Sequence, residues 1–382
     1  MPRWLSGLDV ISAEFVITAW VVVGALLVVA IFLLHRGWRR WAARRRLTLT
    51  GLAGTLVALA AVVAVAASFN AYYAFLPTVD DVVQAATGDQ AWVNVDKLAR
   101  LSGSTADRAS ENGLVVKQSL PADQANGFGA TTNIVYLPPQ YFSDLSTDFP
   151  VLYLFHGSPG QPQDWFHAGD AEQTAQAVAR AGRPVIVVAP QMSRSWTDDP
   201  ECVDGAQEKV ESHLFEQVIP MIDSKFRVDT ARQDTIFGGM SAGGYCALNL
   251  GMRHRGSVAT IIDLSGDTMP THSGGAGSLF GRTNPQRSSL VSSNSPDQYA
   301  SSLSDDPPTR IWLDSGTEDH GIVTQMTSLD RTLQQRGIDT VWRVRPGGHT
   351  YWVWTKALRE ALPWALGCSV GPIKPASKPG PT

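Results

Sequence analysis

Three groups in the second half of the chain have the types and the order that nucleophilic catalysis requires. The first is Gly239-Met240-Ser241-Ala242-Gly243. It follows a short apolar run, Thr235-Ile236-Phe237-Gly238, and precedes a helix-like stretch, Tyr245 to Met252. A serine on a sharp strand-to-helix turn exposes its hydroxyl near the positive end of a helix. Flanking glycines let the backbone take strained angles and let strand and helix pack closely. In a chain with 34 glycines the pentapeptide is weak by itself. Its weight comes from the acid and the histidine that follow it.

A strand-like run, Thr309 to Leu313, leads into Asp314-Ser315-Gly316-Thr317-Glu318-Asp319-His320. A helix-like run, Ile322 to Arg336, and a strand, Thr340 to Val344, then reach Arg345-Pro346-Gly347-Gly348-His349. A serine hydroxyl is a poor nucleophile until a positioned base takes its proton. An imidazole that titrates near neutrality can accept that proton and return it. An acid is needed to fix the imidazole tautomer and stabilise the imidazolium. Ser241, Asp319 and His349 take these roles, in the chain order serine, acid, histidine. Asp319 is favoured over Asp314 and Glu318 because it lies in the loop; Asp314 reads as a structural acid at a strand end. His320 rivals His349 but precedes the last helix and strand, which is the wrong order.

An oxyanion site is legible too. The strand-like Val151 to Phe155 runs into His156-Gly157-Ser158-Pro159-Gly160. A loop beside the nucleophile strand can aim a backbone N–H at a developing oxyanion. Ser158 is assigned that donor, with Gly157 as the alternative, and Ala242 supplies the second N–H.

On these residues, Leu114 to about Leu366 resembles the putative-esterase family of α/β-hydrolases, which includes S-formylglutathione hydrolases, feruloyl esterases, enterochelin-type esterases and mycobacterial mycolyltransferases. The resemblance is carried by Tyr136 to Tyr141, Leu154 to Gly157, Asp164-Trp165, Pro184 to Pro190, Ile219 to Asp223, Gly239 to Gly244, Gly316 to Asp319 and Gly347 to His349. It implies the triad Ser241, Asp319 and His349, and acyl transfer to water or to a sugar hydroxyl. Where the mycolyltransferases carry an Arg-bearing loop, this chain has His156 to Gly160. The Gly- and Ser-rich segment Ser265 to Ala300 is not a standard element of the family. It reads either as a lid or part of an acyl pocket, or as a mobile surface insertion.

The elements that must position these groups alternate. Strand-like runs are Thr132 to Tyr136, Val151 to Phe155, Val185 to Ala189, Thr235 to Gly238, Thr260 to Leu264, Thr309 to Leu313 and Thr340 to Val344. Helix-like runs are Ala171 to Ala181, Lys209 to Phe226, Ala242 to His254, Ile322 to Arg336 and Tyr351 to Leu366. This predicts an α/β fold, a mostly parallel sheet covered by helices on both faces. The catalytic domain is expected over 113–367, after a linker over 77–112 with a helix from Asp80 to Arg100. A Pro- and Lys-rich disordered tail is expected over 368–382.

Phe15 to Leu34 and Gly51 to Asn70 are twenty-residue runs without a charge. At about 1.5 Å per residue each spans about 30 Å, a bilayer core. Two such runs predict a transmembrane hairpin within residues 1–76 and argue against a cleaved leader. The six arginines of the loop 35–46 place it in the cytoplasm, and the N-terminus and catalytic domain on the outer side of the plasma membrane. Trp38 and Trp41 suit interfacial anchoring. Residues 1–46 hold seven basic and two acidic residues, net +5, and the remainder 24 and 33, net −9. So acidic a domain excludes nucleic acid as a partner.

Twelve tryptophans are present. Trp165 and Trp196, in loops near the expected site, are candidate substrate contacts together with His156. Trp352, Trp354 and Trp364 lie on a helix-like run and read as core. Of three cysteines, Cys202 and Cys246 form the candidate disulfide, with buried free thiols as the alternative. No Cys/His spacing suggests a metal, and the chemistry needs no cofactor. The first reading is a membrane-anchored serine esterase acting on an ester or an acyl lipid or sugar. An acyltransferase on the same residues is the second, and an inactive membrane-tethered binding module the third.

Overall fold

The computed structural model describes residues 8–37, 43–79, 81–83 and 92–368. The chain divides into two compact units, Met1–Gln90 and Ala91–Thr382.

The first unit is a pair of helices, α1 (Ala13–Gly37) and α2 (Ala43–Tyr73). They contain apolar stretches of 23 residues, Ala13–His35, and 26 residues, Thr48–Tyr73. Both are long and apolar enough to cross a membrane, which takes about 20 residues. Their apolar side chains face outward, with Ile17 62%, Val28 66% and Val62 66% exposed. The indole Nε1 of Trp20 donates to Ser68 Oγ at 3.0 Å, joining the two helices. Asn70 closes the end of α2: its side chain accepts from Leu76 N–H at 2.9 Å and donates to Leu76 O at 2.8 Å. The segments before α1 and after α2 are tied by Val10 N–H to Pro77 O at 3.0 Å and Val79 N–H to Leu8 O at 3.1 Å. Trp38, Trp41 and the arginine side chains of the 35–46 loop lie outside the described residues, as does the tail beyond 368.

The second unit is built on a nine-stranded sheet. Its strands are β1 (Val93–Asn94), β2 (Leu114–Leu120), β3 (Thr131–Leu137), β4 (Val151–Phe155), β5 (Ile186–Ala189), β6 (Thr235–Met240), β7 (Thr260–Leu264), β8 (Arg310–Gly316) and β9 (Asp339–Arg345). The order is β1-β2-β3-β5-β4-β6-β7-β8-β9. Only β3 runs against its neighbours; the pairings from β5 across to β9 are all parallel. Helices cover both faces, so β4, β5 and β7 are buried along their whole length. Central parallel strands read as unbroken apolar runs for this reason. The rings of Tyr153, Phe155 and Phe237 meet edge to face between β4 and β6.

The helices include α3 (Ala171–Arg180), α4, α5 (Ala242–Arg253), α6 (His320–Gln335) and α7 (Tyr351–Ala365). The expected helix Lys209 to Phe226 is α4, and it is not uniform. It runs as Val210–His213, a π-helical stretch Leu214–Val218, and Ile219–Lys225. Pro220 has no N–H to give to the preceding turn, and a π-bulge accommodates that loss.

One expectation is corrected. The helix from Asp80 to Arg100 is not formed over its described second half, where Val93–Asn94 pairs in parallel with β2 and Val95–Arg100 is a 3₁₀ turn. The sheet unit therefore begins before residue 113. Val93, Val95, Leu98 and Leu101 pack on the core, and Ser104–Asn112 is a helix. The segment Ser265 to Ala300 is folded, as short helices Gly275–Phe280, Arg287–Ser293 and Pro296–Tyr299. Leu279 and Phe280 bury against Val203, and Tyr245 of α5 donates its hydroxyl to Asn294 O at 2.7 Å.

Candidate active site

Ser241 sits between the end of β6 and the start of α5, with φ 54° and ψ −127°. A non-glycine residue in that region stores about 1–3 kcal/mol of strain and persists only where its surroundings over-determine it. Here Ser241 N–H donates to Leu264 O at 2.9 Å, and Ser241 O accepts from Gly244 N–H at 2.8 Å. The positive φ falls on the serine itself and not on the flanking glycines. Gly243 is required for another reason: a Cβ there would lie 2.2 Å from Phe155 O. The helix thus starts hard against the end of β4.

The structure brings His349 and Asp319 to this serine. His349 Nε2 lies 2.8 Å from Ser241 Oγ, and His349 Nδ1 lies 2.6 Å from Asp319 Oδ2. An ionised carboxylate only accepts, so Nδ1 carries the proton and Nε2 is left to accept the serine O–H. Asp319 is mostly buried while His349 is about one-third exposed. Their loops, after β8 and β9, are joined through the main chain: Thr317 N–H donates to Arg345 O at 2.8 Å and Glu318 N–H to Gly347 O at 2.9 Å. Gly316 permits that approach, since a Cβ there would lie 2.3 Å from Gly347 O. The rings of His349 and Trp354 meet edge to face with centroids 4.9 Å apart, a contact that packs the imidazole in place.

The other acids are placed elsewhere. Asp314 is fully buried and faces Arg345, with Nε–Oδ1 2.7 Å and Nη2–Oδ2 2.5 Å, and it accepts from Trp312 Nε1 at 3.2 Å. Burial pushes its carboxyl up to about 6, against the pull of Arg345. Glu318 and His320 are exposed at the surface. Asp263, at the end of β7, is a buried carboxyl that sequence reasoning missed. It accepts from Gly266 N–H at 2.8 Å, and burial raises its pKa far above the usual range.

The loop after β4 lies against the serine. A Cβ on Gly157 would lie 3.9 Å from Ser241 Oγ, and Gly157, Ser158 and Ala242 line one pocket. The Ser158 hydroxyl donates to Asp198 O at 3.2 Å. His156 is buried and its Nδ1 donates to Gly157 O at 2.8 Å. Burial pushes this imidazole down to about 4, so it stays neutral. Trp165 does not face the site: it is fully buried and its Nε1 donates to Phe155 O at 2.9 Å. It lies in a short helix, Asp164–His167, that buries it, where the sequence reading expected a loop. Trp196 is 57% exposed, and its carbonyl accepts from Gly160 N–H at 2.8 Å. Trp354 and Trp364 are buried and Trp352 is exposed. Cys202 and Cys246 are joined as a disulfide with Cα atoms 5.3 Å apart, which ties the loop before α4 to α5.

The family model described as putative esterase matches residues 129–365. That is more than half of the chain. The chain belongs to the putative-esterase family. An uncharacterized protein of Corynebacterium glutamicum is 31% identical to this family member over 63% of the chain and 58% of its own length. An acetyl esterase of Caldicellulosiruptor saccharolyticus is 25% identical over 57% of the chain and 84% of its own length. Over half, but less than two-thirds, of the Corynebacterium relative is thus spanned. Among solved structures, a ferulic acid esterase superposes with TM-score 0.58 at 23% identity, covering 67% of this chain and 98% of that one. At that identity the likeness shows the α/β-hydrolase fold, preceded in this esterase-family chain by two apolar helices.

Proposed function

We propose that this chain is a serine esterase acting through an acyl-enzyme, with Ser241 as nucleophile, His349 as general base and acid, and Asp319 as the residue that orients the imidazole. The reading is carried by the 2.8 Å and 2.6 Å contacts that link Ser241, His349 and Asp319. It is supported by family membership. Ser241 Oγ attacks the ester carbonyl carbon while its proton passes to His349 Nε2. The oxyanion is held by the backbone N–H groups of Ser158 and Ala242, Gly157 being the alternative to the first. Collapse breaks the bond to the alcohol, which leaves with the proton from Nε2. Water then attacks the acyl-enzyme, giving its proton to His349, and releases the acid and the serine.

The site belongs, in this reading, on the outer face of a membrane that α1 and α2 cross. The Arg-rich loop between them argues for a cytoplasmic turn. The Cys202–Cys246 disulfide suits an oxidising compartment. The test is hydrolysis of p-nitrophenyl esters by the full chain in detergent, wild type against Ser241→Ala, with fluorophosphonate labelling alongside. Turnover and labelling that both vanish in Ser241→Ala support the esterase. Acylated sugar formed in place of free acid when trehalose or glycerol is added would favour the acyltransferase. Turnover that survives the substitution would refute the assignment of the nucleophile.

A further inference from the structure

A small pocket adjoins Ser241, with room for about one water-sized group. Gly157, Ser158 and Ala242 line it together with Met192 and the loop Asp198–Cys202. We propose that this pocket receives the acyl part of the substrate, and that Met192, backed by the Cys202–Cys246 disulfide, limits it to short acyl groups of about acetyl size. The proposal rests on Ser241 being the nucleophile and adds the substrate class to that reading.

Position comes first. A Cβ on Gly157 would touch the Ser241 side chain at 3.4 Å, so an acyl carbon bonded to Oγ starts beside the lining of this pocket. Met192 does not yield easily. Methionine is ordinarily the most adaptable of core side chains. Met192 is only 4% exposed, and its sulfur touches Cys202 Sγ at 3.4 Å and Cys246 Sγ at 3.5 Å. Both cysteines are buried, and Cys246 lies in α5, the helix that begins beside Ser241. The methionine is therefore backed by a covalent cross-link fixed to the element that carries the nucleophile. Retreat of the methionine towards that link is blocked.

The lining is mostly apolar, as an acyl methyl needs, but the cleft that adjoins it is polar. His156 Nε2 is buried in its lining without a hydrogen-bond partner among the described residues, and a chain packed on it would leave it so. The mouth carries Asp198 and Asp199, which also line the polar cleft beyond. A chain leaving by that route would strip water from two carboxyl groups. One methylene too many in a fixed pocket costs about 10-fold to 200-fold in kcat/KM.

The experiment compares p-nitrophenyl acetate, butyrate and hexanoate as substrates of the full chain in detergent. Wild type, Met192→Ala, Met192→Val and Ser241→Ala are run together, with a melting curve for each. Wild type should prefer acetate over hexanoate by ~100-fold or more, the penalty of several excess methylenes. Met192→Ala should raise the hexanoate-to-acetate ratio by ~10-fold or more, because it deletes the wall. Met192→Val should move it the same way by less, and serves if the alanine variant does not fold. Equal use of acetate and hexanoate by wild type overturns the proposal, as does a wild-type ratio in the folded Met192 variants. Absence of any Ser241-dependent turnover overturns the esterase reading first, and the acyl assignment with it.

Discussion

In the proposed reading Asp319 is the functional acid and Asp314 a structural one, and each should announce itself in a different measurement. Asp319 Oδ2 lies 2.6 Å from His349 Nδ1, on the imidazole that reaches Ser241. Asp319→Asn should lower kcat/KM by about 10³- to 10⁴-fold through loss of the required tautomer, with the melting temperature close to wild type. Asp314 sits against Arg345 in the interior. Removing one partner of a buried pair costs about 3–5 kcal/mol, so Asp314→Ala should lower the unfolding free energy by that order and leave Ser241 reactive to a fluorophosphonate. The reverse result, a stable but inactive Asp314 variant, would exchange the two roles. Glu201 makes a pH-dependent contribution. Burial first, and Asp199 second, push its carboxyl up to about 8 from 4.5. An acid with a raised folded pKa stabilises fully below its unfolded value, and that contribution is lost as pH rises through the folded one. Wild type should therefore lose stability between about pH 5 and 8 relative to Glu201→Gln, whose amide still accepts from Thr271 N–H. Melting curves of both proteins at pH 5, 7 and 9 check this; a constant difference would refute it.

At the scale of elements, the disulfide and the first edge of the sheet are the places to probe. Cys202 and Cys246 are 44 residues apart. Closing a loop of that size is worth about 3–5 kcal/mol, so Cys246→Ser should melt well below wild type. A fragment starting at 92 should stay soluble, whereas one starting at 113 exposes the edge of β2 and the core under Val95 and Leu98, and should aggregate. These edge elements were the illegible part of the fold. The strands β4, β5 and β7 announce themselves because both faces are covered and every residue must be apolar. In β2, Lys117 and Ser119 face outward and break the run, and β1 is two residues long. No local pattern marks either; they exist because β3 offers an edge. The π-helical stretch in α4 is similar, with Pro220 its only local sign.

Across the whole molecule, the site is more legible than the surface around it. That Ser241, Asp319 and His349 come together was readable because chain order and strand-loop context constrain them. Trp165 was not, because which side of a loop is covered is decided by helices distant in sequence. Charge divides as the fold does: the helical pair carries the basic excess and the sheet unit the acidic one. The outward-facing side chains of α1 and α2 are apolar over 23 and 26 residues. The full chain should therefore sediment with membranes and need detergent, while the 92–368 fragment should not. A full chain that stays in the aqueous phase without detergent would count against membrane insertion.

The junction of the β8 and β9 loops bears on how freely the sequence there can drift. Asp319 is held in register with His349 by main-chain atoms of Thr317 and Glu318, and the side chains of both residues point to solvent. Their identities are thus uncoupled from the alignment they maintain. A randomised library at 317 and 318 should retain turnover in most clones and so offers a way to recolour the charge beside the site. The same library at Gly316, where any side chain meets the Gly347 carbonyl, should yield almost none.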